Sequence, residues 1–134
     1  MQAQILVIVT KYNTEKWLIL AGVWFLYMGF GLSMTSLAPL VADIENELNL
    51  THDQMGQIMG AWQFVYIFAA IPCGLFLDKI GTRWGIAIGA LIIGISGLSR
   101  GFSDNYYELL FSVGLFGLGG PLISAGAPKV IAQY

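Results

Sequence analysis

The sequence predicts an all-α membrane protein, and three observations carry that reading. Apolar residues make up 57% of the chain and charged residues 10%, a balance outside the range of ordinary soluble domains. Four long apolar runs are each of the order of the ~20 residues that cross about 30 Å of hydrocarbon. The charges gather in the short stretches between those runs, where water can hold them. The same composition excludes other classes. With a net charge of −2 and no basic cluster, the chain has nothing to follow a phosphate backbone, so nucleic acid is not an expected partner. Cys73 is the single cysteine, which rules out an intrachain disulfide framework or a multi-cysteine metal site and reads as packing. No cofactor or metal is expected, and the lipid bilayer is the expected surrounding.

Residues 1–16 form a polar lead-in with Lys11 and Lys16. It lacks the basic start and long apolar core of a secretory signal, so the first span is expected to act as its own uncleaved signal. The first span is 17–42, uncharged throughout, with Trp17 as an interfacial anchor and Pro39 near its far end. An acidic loop with Asp43, Glu45 and Glu47 follows.

The second span, 52–77, has a strong start signal. Thr51 can cap the helix, Gln54 can reach back to it, and Leu50 can pack on Met55. Pro72 frees the carbonyl of Phe68, which favours a bend over a break. His52, the only histidine, falls in the first turn at the interface, where a metal or proton-shuttle role is not expected. The third span, 84–102, lies between Arg83 and Arg100, both of which are expected to snorkel toward water. Asn105 and Glu108 have capping-box spacing ahead of the fourth span, 107–128. Gly119, Gly120 and Pro121 follow one another in it, so a kink is expected between Gly117 and Pro121. Residues 129–134 return to a polar interface.

Orientation follows from the six basic residues. Lys11, Lys16, Lys79, Arg83 and Lys129 fall on one side of the alternation and Arg100 on the other. By the positive-inside tendency the majority marks the cytoplasm, so both termini are expected there and the acidic loop outside.

No Asp, Glu, Lys, Arg or His lies in the middle of any span, so a proton relay or intramembrane ion site is not expected. Glycines at helix-contact spacing, such as Gly56 with Gly60 and Gly85 with Gly89, suit close helix packing in lipid. The neutral polar groups remain. Tyr27, Gly31 and Thr35 share one face of the first span, Gln63 and Tyr66 share a face of the second, and Ser124 lies on the fourth. These are the candidates for lining a solute pathway, with interhelical hydrogen bonding as the alternative. No nucleophile with a base, carboxylate pair or ligand set is legible inside the bundle, and no enzyme activity is expected.

Asp78, Lys79 and Arg83 are the only charges between Gln54 and Ser99. They sit in the stretch GLFLDKIGTR, where Gly74 and Gly81 suit a tight reversal and Asp78 can face Lys79 and Arg83 across the turn. This stretch resembles the loop between the second and third helices of major facilitator superfamily transporters, on Gly74, Asp78, Lys79, Gly81 and Arg83. Phe76, Leu77 and Thr82 depart from that pattern. The resemblance implies four helices that correspond to the first four of a six-helix half-bundle, hence an N-terminal fragment whose partners are the remaining helices and a small-molecule substrate. It implies a secondary active transporter working by alternating access in a prokaryotic cytoplasmic membrane, with these five residues as a conformational gate. The ending GGPLISAGAPKVIAQY resembles the cyanate-permease-like, small-anion group. The rival reading is a complete small four-helix membrane protein that serves as a packing or assembly subunit without transport.

Overall fold

The computed structural model describes residues 2–132, with side chains from residue 15 onward. Lys11 and residues 133–134 therefore lie outside the described side chains. Five α-helices occur in order: α1 (Gln2–Thr35), α2 (Val41–Glu47), α3 (His52–Ile80), α4 (Thr82–Gly101) and α5 (Tyr106–Ala132), with a 3-10 turn at Ala38–Leu40 between the first two. Four stretches, Glu15–Glu47, His52–Ile80, Thr82–Gly101 and Tyr106–Ala132, are long and apolar enough to cross a membrane.

The first span departs from its expected limits at both ends. α1 starts at Gln2, so the polar lead-in and the apolar run form one helix. It stops at Thr35, short of residue 42. There Thr35 Oγ1 donates to the Gly31 carbonyl at 3.0 Å and Ser36 Oγ to the Ser33 carbonyl at 3.0 Å, local bonds that compete with helix propagation. Pro39 then opens the 3-10 turn. The stretch expected as an acidic loop is the short helix α2. It closes with Asn49 at φ 51° and Leu50 N–H donating to the Glu45 carbonyl at 2.9 Å, a left-handed C-terminal stop.

The α3 start matches its sequence signal. Gln54 N–H donates to Thr51 Oγ1 at 3.3 Å and Thr51 N–H to Gln54 Oε1 at 2.9 Å, a complete capping box. Met55 is buried, with Leu50 packed on the same cluster of Leu37, Ile58, Leu109 and Val113. His52 Nδ1 meets Glu45 Oε1 at 2.9 Å and ties α2 to the start of α3.

One residue, Gly81, separates α3 from α4. Its φ of 84° is a conformation that a side chain disfavours, and its N–H closes on the Leu77 carbonyl at 3.0 Å. Gly74, expected to share that reversal, instead lies inside α3. α5 begins with Glu108 N–H donating to Asn105 Oδ1 at 3.0 Å; Glu108 Oε2 accepts from Asp104 N–H at 3.0 Å, one residue earlier than a strict capping box. The helices run unbroken through Pro72 in α3 and through Gly119, Gly120 and Pro121 in α5. The chain thus remains helical where the fourth span was expected to be weakest.

The reason lies in packing. α5 is the central helix and packs along both α3 and α4. A Cβ on Gly117 would lie 2.4 Å from the Trp62 carbonyl oxygen of α3, and one on Gly119 would lie 2.9 Å from the Gly89 carbonyl oxygen of α4. The small residues let the backbones approach, and neighbours on both sides support the helix as it continues through Pro121. Gly56 and Gly60, by contrast, have nothing within 4 Å of a built Cβ, so their spacing does not mark a contact here. α1 leans on this core along a narrow seam. Leu26 and Phe30 pack against the cluster of Ile93, Phe116 and Ile123, as Trp62 of α3 also does, with the Phe30 and Phe116 rings stacked at 5.0 Å. None of the described α1 side chains is buried.

Candidate functional site

The two ends of the bundle carry its charge. At the α3–α4 turn, Leu77 is 1% exposed and its Cδ1 would lie 2.1 Å from a Cβ on Gly85, so Gly85 makes room for the side chain that closes the turn. Asp78 and Lys79 occupy the last turn of α3, and Arg83 the first turn of α4. The ion pair that Asp78 makes reaches outside this turn. Its Oδ1 meets Lys129 Nζ at 2.5 Å, so the end of α5 is tied to the end of α3. A cavity of about 600 Å³ lies between them, lined in part by Asp78, Gly81, Arg83 and Lys129. Arg83 also lines a second groove with Ile19, Gly22 and Val23 of α1. Both partners of the pair are substantially exposed, which limits its worth to about 0–1 kcal/mol.

Of the neutral candidates, the structure joins two. Tyr66 OH and Ser124 Oγ lie 2.8 Å apart, between α3 and α5, and a Cβ on Gly120 would meet the Tyr66 ring at 2.9 Å. Gly120 therefore admits the ring that makes this bond. Tyr27, Thr35 and Gln63 are exposed and Gly31 is half-buried; Thr35 bonds within its own helix. Gln63 and Tyr66 part company, because the aromatic ring turns toward α5 and the amide does not. Cys73 Sγ lies 3.7 Å from the Leu118 carbonyl, a contact between α3 and α5 that suits a packing role. Among the described residues, no group of three or more His, Cys, Asp or Glu is placed to hold a metal ion.

At the opposite end, Arg100 is half-buried and reaches toward the end of α1. Its Nη1 donates to the Ser33 carbonyl of α1 at 2.7 Å and reaches Ser36 Oγ at 3.4 Å. The guanidinium carbon lies 5.2 Å from the centre of the buried Phe116 ring, and Nε is buried without a partner among the described residues. The carbonyl it serves is one that the end of α1 leaves without a helical donor, at the negative pole of that helix. Nearby, Ser96 Oγ donates to the Ser112 carbonyl at 2.6 Å and Ser112 Oγ to the Glu108 carbonyl at 2.8 Å, a polar seam between α4 and α5. Sequence reasoning placed Arg100 at an interface and did not find this inward role. The available signal was its position as the lone basic residue on its side of the alternation.

The sequence profile of the Major Facilitator Superfamily matches residues 23–134. The chain is 26% identical over 100 residues to a D-galactonate transporter of Escherichia coli O6:H1, covering 75% of this chain and 23% of that protein. It is 25% identical over 123 residues to Multidrug resistance protein 1 of Bacillus subtilis, covering 92% and 31%. It is 26% identical over 106 residues to the probable polyol transporter 4 of Arabidopsis thaliana, covering 79% and 20%. The chain thus spans between a fifth and a third of the length of these relatives. No solved structure gives a significant match.

Proposed function

Because the chain belongs to the Major Facilitator Superfamily, we propose that it is the N-terminal part of a secondary active transporter that carries a small solute across a membrane by alternating access. The observation that carries this reading is the family match across residues 23–134, which includes the Gly74 to Arg83 turn. The bundle is compatible with the motion required. α5 is interlocked with α3 and α4 through glycine contacts, while α1 rests on a narrow seam and leaves much of its surface for other helices or a pathway. The Tyr66–Ser124 pair supplies neutral hydrogen-bonding capacity between α3 and α5, as a small polar solute needs. The relatives' names speak of a sugar acid, drugs and a polyol, and a small organic anion is the substrate class we favour among them.

The proposal includes an orientation. Lys79, Arg83 and Lys129 lie at one end of the bundle, where Lys129 pairs with Asp78, and Arg100 lies at the other, beside the end of α1. This grouping supports cytoplasmic termini and a multi-pass location in a prokaryotic cytoplasmic membrane. The deciding experiment is uptake by the full-length protein in proteoliposomes, with D-galactonate, a polyol and a cationic dye offered under proton and sodium gradients. Gradient-dependent movement of one class is expected. No movement of any of them under either gradient would remove the transport reading.

A further inference from the structure

We infer that Arg100 is a positioning residue: through the Ser33 carbonyl it fixes how the last turn of α1 lies on α4 and α5. The placement itself stands on the geometry. Its bearing on a solute rests on the transport reading, because Tyr27, Gly31 and Thr35 stand on the helix that Arg100 sets. The described packing of α1 is narrow. None of its described side chains is buried, and Leu26 and Phe30 form its seam on Ile93, Phe116 and Ile123. Apolar contact is non-directional, so such a seam resists removal of the helix far more than rolling or sliding of it. Just past the helix, Leu37 is buried with Met55, Ile58, Leu109 and Val113, which anchors the chain without fixing the rotation of the turn before it. A directional bond is needed for that, and Arg100 supplies one. The Ser33 carbonyl accepts from Ser36 Oγ at 3.0 Å and from Arg100 Nη1 at 2.7 Å. Both of its lone pairs are thereby used, and the charge-assisted bond is the one that comes from another helix. The guanidinium carbon lies 5.2 Å from the centre of the Phe116 ring of α5, and that ring stacks on Phe30 of α1. One cation thus fastens three helices at the same place.

The fastening carries a cost that separates positioning from stability. Arg100 Nε is enclosed and has no partner among the described residues, and no described carboxylate forms a salt bridge with the guanidinium. A donor sealed away from water opposes this burial, and a charge held by neutral acceptors is only partly compensated. An apolar side chain of similar length would fill the same space without either penalty. It would not hold the Ser33 carbonyl. Removing the charge is therefore expected to release the end of α1 while leaving the rest of the bundle as stable as before, or more so.

The test places spin labels at Leu32 of α1 and Leu98 of α4, both exposed, and reads the distance between them by electron paramagnetic resonance with the protein in lipid nanodiscs. Labels at Phe64 of α3 and Phe111 of α5, also exposed, form the reference pair. Arg100→Met is expected to lengthen and broaden the first distance, to leave the second unchanged, and to keep or raise the melting temperature. Arg100→Lys retains a cationic donor for the Ser33 carbonyl and is expected to restore much of the original distance. On the transport reading, Arg100→Met lowers the uptake rate at least about tenfold, the scale of losing one hydrogen bond to a charged group, and Arg100→Lys recovers part of it. An unchanged Leu32–Leu98 distance in Arg100→Met would overturn the positioning role. So would a lower melting temperature with both distances broadened, because Arg100 would then be a general support of the bundle. A changed first distance in Arg100→Met, with no solute moved by the unaltered protein, would keep the positioning role and remove the transport reading. Uptake by the unaltered protein, with the same distance in Arg100→Met, would do the reverse.

Discussion

Gly117 has no space for a methyl group, because the nearest atom to a built Cβ is the Trp62 carbonyl oxygen at 2.4 Å. That atom belongs to the α3 backbone and cannot swing aside as a flexible side chain would. Gly117→Ala is therefore expected to separate α3 from α5 and to destabilise the protein by about 1–3 kcal/mol, the usual cost of overpacking. Gly60→Ala is the matched control, with nothing within 4 Å of its Cβ; it is expected to be neutral or to stabilise by up to about 1 kcal/mol through helix propensity. Thermal unfolding of both variants in detergent measures the difference. Similar melting temperatures for the two would refute the close-contact account. In the sequence Gly60 stands four residues from Gly56 and Gly117 stands in a glycine-dense stretch, and only the helix crossing shows which of the two has room for a methyl group.

At the scale of elements, α3 depends on its first turn. The Thr51–Gln54 box satisfies donors that the helix start would otherwise leave open, and the cluster of Leu37, Met55, Ile58, Leu109 and Val113 packs directly beneath it. Thr51→Ala is expected to cost about 0.5–2 kcal/mol and to speed hydrogen exchange at the Gln54 amide, which loses its acceptor. Exchange monitored by mass spectrometry should show the change confined to the start of α3, and unchanged exchange there would contradict the cap. One of the contacts that hold α1 to the core is aromatic. Phe30→Ala removes the ring stacked on Phe116 and is expected to loosen α1 while leaving the α3–α5 contact intact. Crosslinking between cysteines introduced at Leu26 and Ile93 should fall in that variant, with the Tyr66–Ser124 region unchanged.

For the whole molecule, the Asp78–Lys129 pair joins two helix ends that are 51 positions apart in the chain. Such an exposed pair is worth only about 0–1 kcal/mol, yet a conformational equilibrium poised within a few kcal/mol responds measurably to that much. On the proposed transport reading, Asp78→Asn and Lys129→Gln are each expected to shift the population toward the state open at this end and to slow uptake. The double variant is expected to resemble either single one, because both remove the same interaction. Accessibility of a cysteine introduced at this end, read beside uptake, tests the coupling. Additive effects of the two substitutions would show that the pair is not the unit that acts.

The sequence by itself determined the membrane class, the presence of four long apolar helices, the cap at Thr51 and the turn at Gly81. Each of these rests on a local cause: uninterrupted apolar length, a side chain within reach of its own helix start, or a backbone angle that glycine tolerates. Tertiary structure decided everything that depends on which faces meet. The continuity of α5 through Gly119, Gly120 and Pro121 comes from neighbours on both sides. Lys129 as the partner of Asp78, Ser124 as the partner of Tyr66 and the inward turn of Arg100 come from helix placement. Hydropathy and spacing say how far a helix runs and which residues share its face, but in a bundle whose surface is apolar all round they do not say which face turns to a neighbour and which to lipid.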